Sequence, residues 1–430
     1  MKKLSLVTAA IMGLLSTSAA TAQSTVTIYG LLDGGYNHIT GLRNGTANRI
    51  DSGIMEGSRF GLRGSEDIGG GYKAIFTLEN RLELDTGSVS NRAPSGGQIP
   101  DRLIQANRLT PNLSAAQQAG LQPLFNTVAY GNAAGTVGTA GGIGAGVGVN
   151  VSATPNLFDR QAYAGLVTPF GAFTLGRQYT PAYLVGASFD ASQTQSSLSV
   201  GQVAPTGIDI RLGNTVQYGI QAAGVTAALL YGAGEVAGNS SASRFYGGLA
   251  IYKGNGFSLG YGHNERKNSL GQKSLTNNVF GGTVDLGPGT LYGQYTTIKD
   301  ENPETLVLIS PAFAAAGPLA PTVATAYANA LQQDARQMHI GYKLTSGVHT
   351  VVVAYNRLDD KRPNNADTTS YGTTYTFALS KRTNLNAVLT RFNNTGSGQA
   401  APGGGGFLGG VTSAAGVGST NVAFGIRHTF

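Results

Sequence analysis

The residues equipped for chemistry are few and scattered. Five histidines, His38, His263, His339, His349 and His428, form no H-x-x-x-H pair, and cysteine is absent, so neither a metal site nor a thiolate centre is indicated. There is no G-x-S-x-G and no H-E-x-x-H, and dispersed histidines do not by themselves supply a nucleophile, a base and an orienting group. The glycine-rich run 142–148 has no strand and helix around it and no lysine after it, so it reads as low-complexity loop rather than a phosphate cradle. What remains is charge on alternating segments. Phe60 and Leu62 alternate with Arg59 and Arg63, and Leu212, Val216 and Tyr218 alternate with Arg211, Thr215 and Gln217. Asp33 shares one strand face with Thr27 and Tyr29, opposite Val26, Ile28 and Leu32. Such segments separate water from an apolar phase, and the chemistry they offer is electrostatic.

Elements that could position these charges follow from composition. Lys2 and Lys3, the apolar stretch 4–15 and Ala20-Thr21-Ala22 form an export signal, so residues 1–22 are expected to be cleaved and 23–430 to form one unit. The formal charge is +7 and glycine numbers 64, while charged residues make up only 12%. No linker or composition shift divides the remainder. No apolar run after the signal reaches the ~18 residues of a membrane-spanning helix, which leaves a closed barrel as the structure able to cross lipid.

Segments of about ten residues with alternating polarity recur along the chain, joined in turn by short glycine-rich turns and longer polar loops. The short connections at 65–71, 168–171, 221–224, 253–256, 286–289, 345–347 and 380–384 each tie a hairpin. Counting a strand on either side of each, plus the first and last segments, predicts sixteen antiparallel strands: 25–36, 57–66, 71–82, 158–168, 171–178, 209–221, 224–232, 243–253, 256–264, 275–285, 289–298, 334–344, 348–357, 369–379, 383–391 and 420–430. The long connections, 85–157, 178–208, 299–333 and 393–420, belong to the outer rim, and 321–332 could hold a short helix. The last segment alternates Val422, Phe424, Ile426, His428 and Phe430 on one face, a pattern that barrel-assembly machinery typically reads at a terminal aromatic. The 19 tyrosines and 16 phenylalanines suit interfacial girdles or a subunit interface.

Residues 24–33 (STVTIYGLLD), 58–74 (SRFGLRGSEDIGGGYKA), 160–166 (RQAYAGL), 175–179 (LGRQY) and 425–430 (GIRHTF) resemble the trimeric general porins of β-proteobacteria, the neisserial and Burkholderia-like group. The resemblance implies a 16-stranded all-β transmembrane barrel in the outer membrane, a homotrimer, and a third long loop, here 178–208, folded inward. It also implies arginines on the second, fourth and sixth strands facing that loop, at Arg59, Arg160 and Arg211. The resemblance also implies that the second long loop helps latch one protomer to its neighbour, and the connection 85–157 departs from the family by being far longer than that loop.

The pore constriction is therefore expected to comprise Arg59, Arg160 and Arg211, with Asp190, Asp33 and Glu79 as acids across the gap. Guanidiniums stay ionised at every relevant pH, and several of them in a narrow passage raise the local anion concentration. Lipid-facing arginine near the midplane is costly, which favours the lumen for all three. Arg63 and Lys73 fit either the lumen or the periplasmic rim, Asp190 could be a turn former, and Glu79 could simply neutralise Arg81. These features predict passive diffusion of small hydrophilic solutes and ions with mild anion preference, and no cofactor or enzymatic activity. Expected partners are two further copies of the chain, outer-membrane lipids including lipopolysaccharide, and the assembly machinery through Phe430, with no nucleic acid. A solute-specific channel is the nearest alternative, a barrel phospholipase or protease a distant one. Adhesion through the outer loops would coexist with transport.

Overall fold

A computed structural model describes residues 25–89, 99–130, 157–192, 196–204, 207–402 and 410–430. The expected export signal and the glycine run 142–148 lie outside the described residues. Barrel strands are β1 (Thr25–Leu42), β2 (Gly45–Ser52), β3 (Arg59–Gly69), β4 (Tyr72–Arg81), β5 (Gln161–Thr168), β6 (Gly171–Tyr179), β7 (Arg211–Ala222) and β8 (Val225–Gly232). They continue as β9 (Phe245–Lys253), β10 (Phe257–Lys267), β11 (Lys273–Leu286), β12 (Gly289–Asp300), β13 (Gln333–Ser346) and β14 (His349–Asp360). After β15 (Thr368–Ala378) and β16 (Thr383–Asn394), the C-terminal strand Ser419–Thr429 closes the ring against β1.

The sheet holds 17 strand segments, every neighbour antiparallel. Because β2 pairs with the far half of β1 and β3 with its near half, those two are halves of one stave, and the ring has sixteen. The expected hairpin turns all recur. The extra segment Gly45–Ser52 is a difference: the first hairpin climbs well beyond the predicted residue 36, then breaks at 53–58 before resuming.

Side chains follow the two-residue period. On β13, Met338 and Ile340 are exposed to the outside, whereas Gln337 and His339 are buried inward. An outward apolar band over an inward polar face is the pattern lipid and a wet lumen impose. At the seam the backbones of Gly30 and Phe430 exchange two hydrogen bonds of 3.1 Å. A Cβ on Gly30 would lie 2.3 Å from the Phe430 ring, so only glycine lets the terminal aromatic close the ring there.

One helical stretch, Glu304–Leu331, is long and apolar enough for a membrane span, contrary to the expectation that no such run exists. Its position rules that role out. It lies between two barrel strands in an outer loop, as three short helices, with Gly317 at φ 56° breaking the run. The helix Ala320–Leu331 fits the one anticipated at 321–332. Within the long second outer loop, the helix Ala115–Tyr130 packs against this stretch.

Candidate pore constriction

Three strands meet at a cluster of guanidiniums on one barrel wall. Arg160, immediately before β5, is almost wholly buried (2%), and its Nε donates to Glu79 Oε1 of β4 at 2.6 Å. Arg59 opens β3 and approaches the other Glu79 oxygen at 4.0 Å. Tyr29 of β1 donates its hydroxyl to that same oxygen at 3.0 Å. Arg211 opens β7 and donates to Tyr179 Oη at 2.8 Å, to which Arg160 also donates at 3.1 Å. The Arg211 guanidinium lies over the Tyr179 ring, 4.4 Å from its centre, and Tyr183 stacks on that ring at 5.3 Å. Glu56 links Arg59 at 3.6 Å to Arg427 of the last strand at 3.3 Å. Four guanidiniums thus surround two carboxylates, a net basic patch.

Arg59, Arg160, Arg211 and Glu79 are brought together. Glu79 pairs with Arg160 rather than with Arg81, whose carboxylate partner is Glu83 at 3.4 Å. Asp33 sits close by on β1 but is occupied otherwise. Its fully buried carboxylate accepts the amides of Ile54, Met55 and Glu56 at 3.2, 2.9 and 2.8 Å, so it holds the break between β2 and β3 in shape. Arg63 is exposed, its guanidinium over the Tyr29 ring at 5.1 Å, and Lys73 lies opposite Asp67 beside the 69–71 turn.

Asp190 lies on the far side of the lumen, in the inward loop that follows β6. This buried side chain accepts from Ser192 N, Ser199 Oγ and Val200 N at 2.9, 2.8 and 2.9 Å, which ties the loop to itself. The next amide, Ala191 N, donates to His339 Nε2 of β13 at 2.9 Å, so Nδ1 bears the proton and donates to Asn356 Oδ1 at 2.6 Å. Asn356 Nδ2 in turn donates to Leu198 O at 2.9 Å, and Ser197 Oγ donates to Asn421 Oδ1 at 2.6 Å. The loop is therefore laced to the inner wall by neutral polar groups.

Its helix, Pro181–Ser188, starts with proline at the first position, where a missing N–H costs nothing. It rests on a part of the wall where glycines replace side chains between Leu249 and Val279. A Cβ on Gly260 or Gly281 would come within 2.5 or 2.4 Å of the Phe189 ring, and one on Gly247 or Gly262 within 2.9 Å of Pro181 or Ala182. These glycines on β9–β11 form the seat for the inward loop. Sequence reasoning missed them; the available signal was four glycines at lumen-side positions of three consecutive strands. It also missed Tyr179 and Tyr183, the aromatic pair between two arginines. Among the described residues there is no group of histidines and acids able to hold a metal ion.

A closed sixteen-stave barrel with an inward loop opposite a basic wall defines a channel-forming outer-membrane protein. Residues 7–397 match the Gram-negative porin family, and the chain belongs to it. An outer membrane porin of Bordetella pertussis is 27% identical over 51% of this chain and 66% of its own length. Outer membrane porin protein 32 of Delftia acidovorans is 38% identical over 18% of this chain and 22% of its own length, so the chain spans less than two thirds of each of these relatives. Among solved structures, an anion-selective porin from Comamonas acidovorans superposes with a TM-score of 0.65 at 22% identity, covering 95% of this chain and 100% of that one. The trimer form of OmpT from Vibrio cholerae gives 0.58 at 14% identity, covering 95% and 99%. Porins are channels rather than enzymes, and this barrel resides in the outer membrane.

Proposed function

We propose that the protein is a general diffusion porin whose water-filled lumen passes small hydrophilic solutes and ions with a mild preference for anions. The observation that carries this reading is the joined cluster of Arg59, Arg160 and Arg211 on one wall, where Glu79 and Glu56 are the carboxylates within ion-pair distance of Arg59 and Arg160 among the described residues. Excess fixed positive charge beside a narrow passage concentrates anions. The three sequence-expected acids do not form an opposing bank: Glu79 clamps Arg160, Asp33 holds a strand break and Asp190 holds the loop. The field therefore runs from a basic wall toward a largely neutral loop.

The same reading assigns residues 1–22 as a removed export signal, Phe430 as the contact for the assembly machinery, and three copies as the working unit within lipopolysaccharide-containing lipid. The absence of enzymatic activity belongs to it as well. Reversal potentials across a salt gradient in planar bilayers test it. Anion-over-cation permeability that falls in Arg211→Ala supports it, and cation preference in the native channel overturns it. Liposome swelling over a solute series separates a solute-specific channel, which would saturate for one compound.

A further inference from the structure

Two of the helix-bearing outer loops, the one between β4 and β5 and the one between β12 and β13, root on opposite walls. In the sixteen-stave ring, β4 and β5 are the third and fourth staves and β12 and β13 the eleventh and twelfth, half a circumference apart. Their loops nevertheless share one hydrophobic core. Phe125 of the first meets Tyr327 of the second edge-on at 5.7 Å, and Phe313 of the second stacks on the Tyr327 ring at 5.3 Å. Leu103, Phe125, Val323 and Tyr327 are buried there, with no barrel strand in the cluster. The contact is also polar: Arg102 Nη1 donates to Ala330 O at 2.7 Å. Burial and the neighbouring Arg362 push the Arg102 guanidinium down to about 9, while Asp360 opposes the shift, and burial pushes the Tyr327 phenol up.

A ring of sixteen tilted strands measures about 30 Å across. A helix of 16 residues is about 24 Å long and one of 12 about 18 Å, enough together to bridge it. We propose that this helical bridge is an outer size filter in series with the constriction: solutes entering from outside are sieved at the bridge before they reach the arginines. The inference rests on the diffusion reading above. It gives a function to the long second loop that charge at the constriction cannot, because a packed apolar bridge excludes by volume and not by sign.

The test is polymer exclusion applied to each side of a bilayer holding the native channel in one orientation. Polyethylene glycols that enter the lumen perturb conductance; those that are too large do not. The expected cut-off is about twofold smaller in polymer mass from the outer face than from the periplasmic face. Equal cut-offs on the two faces overturn the proposal. Replacing 304–331 by a short Gly-Ser turn should remove the difference while the reversal potential stays native, and F125D/Y327D, which unpacks the bridge without excising it, should do likewise. An asymmetry that survives in whichever of these variants inserts as a channel also overturns it. Failure of the diffusion reading would look different, as a native protein with no conductance steps or with cation preference.

Discussion

Two stretches of the inner wall are built by opposite means. On β3–β7 the wall is crowded with long charged side chains, and order comes from buried ion pairs joined through Tyr179. On β9–β11 four inward positions are glycine, and order comes from the helix and Phe189 lying in the space they leave, beside Leu249 and Val279. A charged wall resists substitution because a buried charge left without its partner is costly; a glycine wall resists it because any added atom collides. The passage is thus narrowed by addition on one side and by accommodation on the other, and the two should fail differently.

Arg160→Ala should break the charged wall most severely. It leaves the buried Glu79 carboxylate without its closest guanidinium, a loss of about 3–5 kcal/mol, read as a lower unfolding temperature of the detergent-solubilised barrel together with weaker anion preference. Native stability in this variant would show that Glu79 is adequately held by Arg59 and Tyr29 alone. Asp190→Ala attacks the loop from within by removing the acceptor of three or more charge-assisted hydrogen bonds, worth about 1.5–3 kcal/mol in all if the loop relaxes. Single-channel records should then show frequent sub-conductance steps with unchanged ion preference; a quiet channel would mean that the His339 and Asn356 ties suffice.

Gly281→Val probes the seat. Overpacking against Phe189 should cost about 1–3 kcal/mol and shift the open-channel conductance, while Gly293→Ala, at a position with nothing within 4 Å of the added Cβ, should leave both unchanged. Equal behaviour of the two variants would remove the distinction between the walls.

How far the sequence foretold this contrast depends on the range over which each feature is encoded. The staves were legible because polarity alternates with a period of two and glycine marks the turns, both of which are local. Arg59 and Arg211 were legible from their alternation with Phe60, Leu62, Leu212 and Val216. Asp33 was legible as an inward acid, but its duty was not, since its partners are backbone amides of 54–56 in a segment without a pattern. The segment Gly45–Ser52 escaped because it continues a stave already counted. The helical bridge escaped for a different reason: its core is shared by residues about two hundred positions apart, and neither loop shows by itself what its apolar face meets.

The smallest expected effect tests the hinge of the comparison, the phenol that two arginines share. Tyr179→Phe keeps the ring for Tyr183 and for the cation above it, and removes only the oxygen that accepts from Arg160 and Arg211. Arg160 retains Glu79, so the loss should be about 0.5–1.5 kcal/mol, well below that of Arg160→Ala. If the hydroxyl serves to aim the guanidiniums, anion preference persists and current noise rises, because both side chains keep their charge but lose a fixed rest position. If the hydroxyl instead masks part of their field, preference for anions increases at unchanged noise. A fall in preference as large as that of Arg211→Ala would contradict both, and would place the anion-attracting element in the Tyr179 hydroxyl rather than in the arginines it joins.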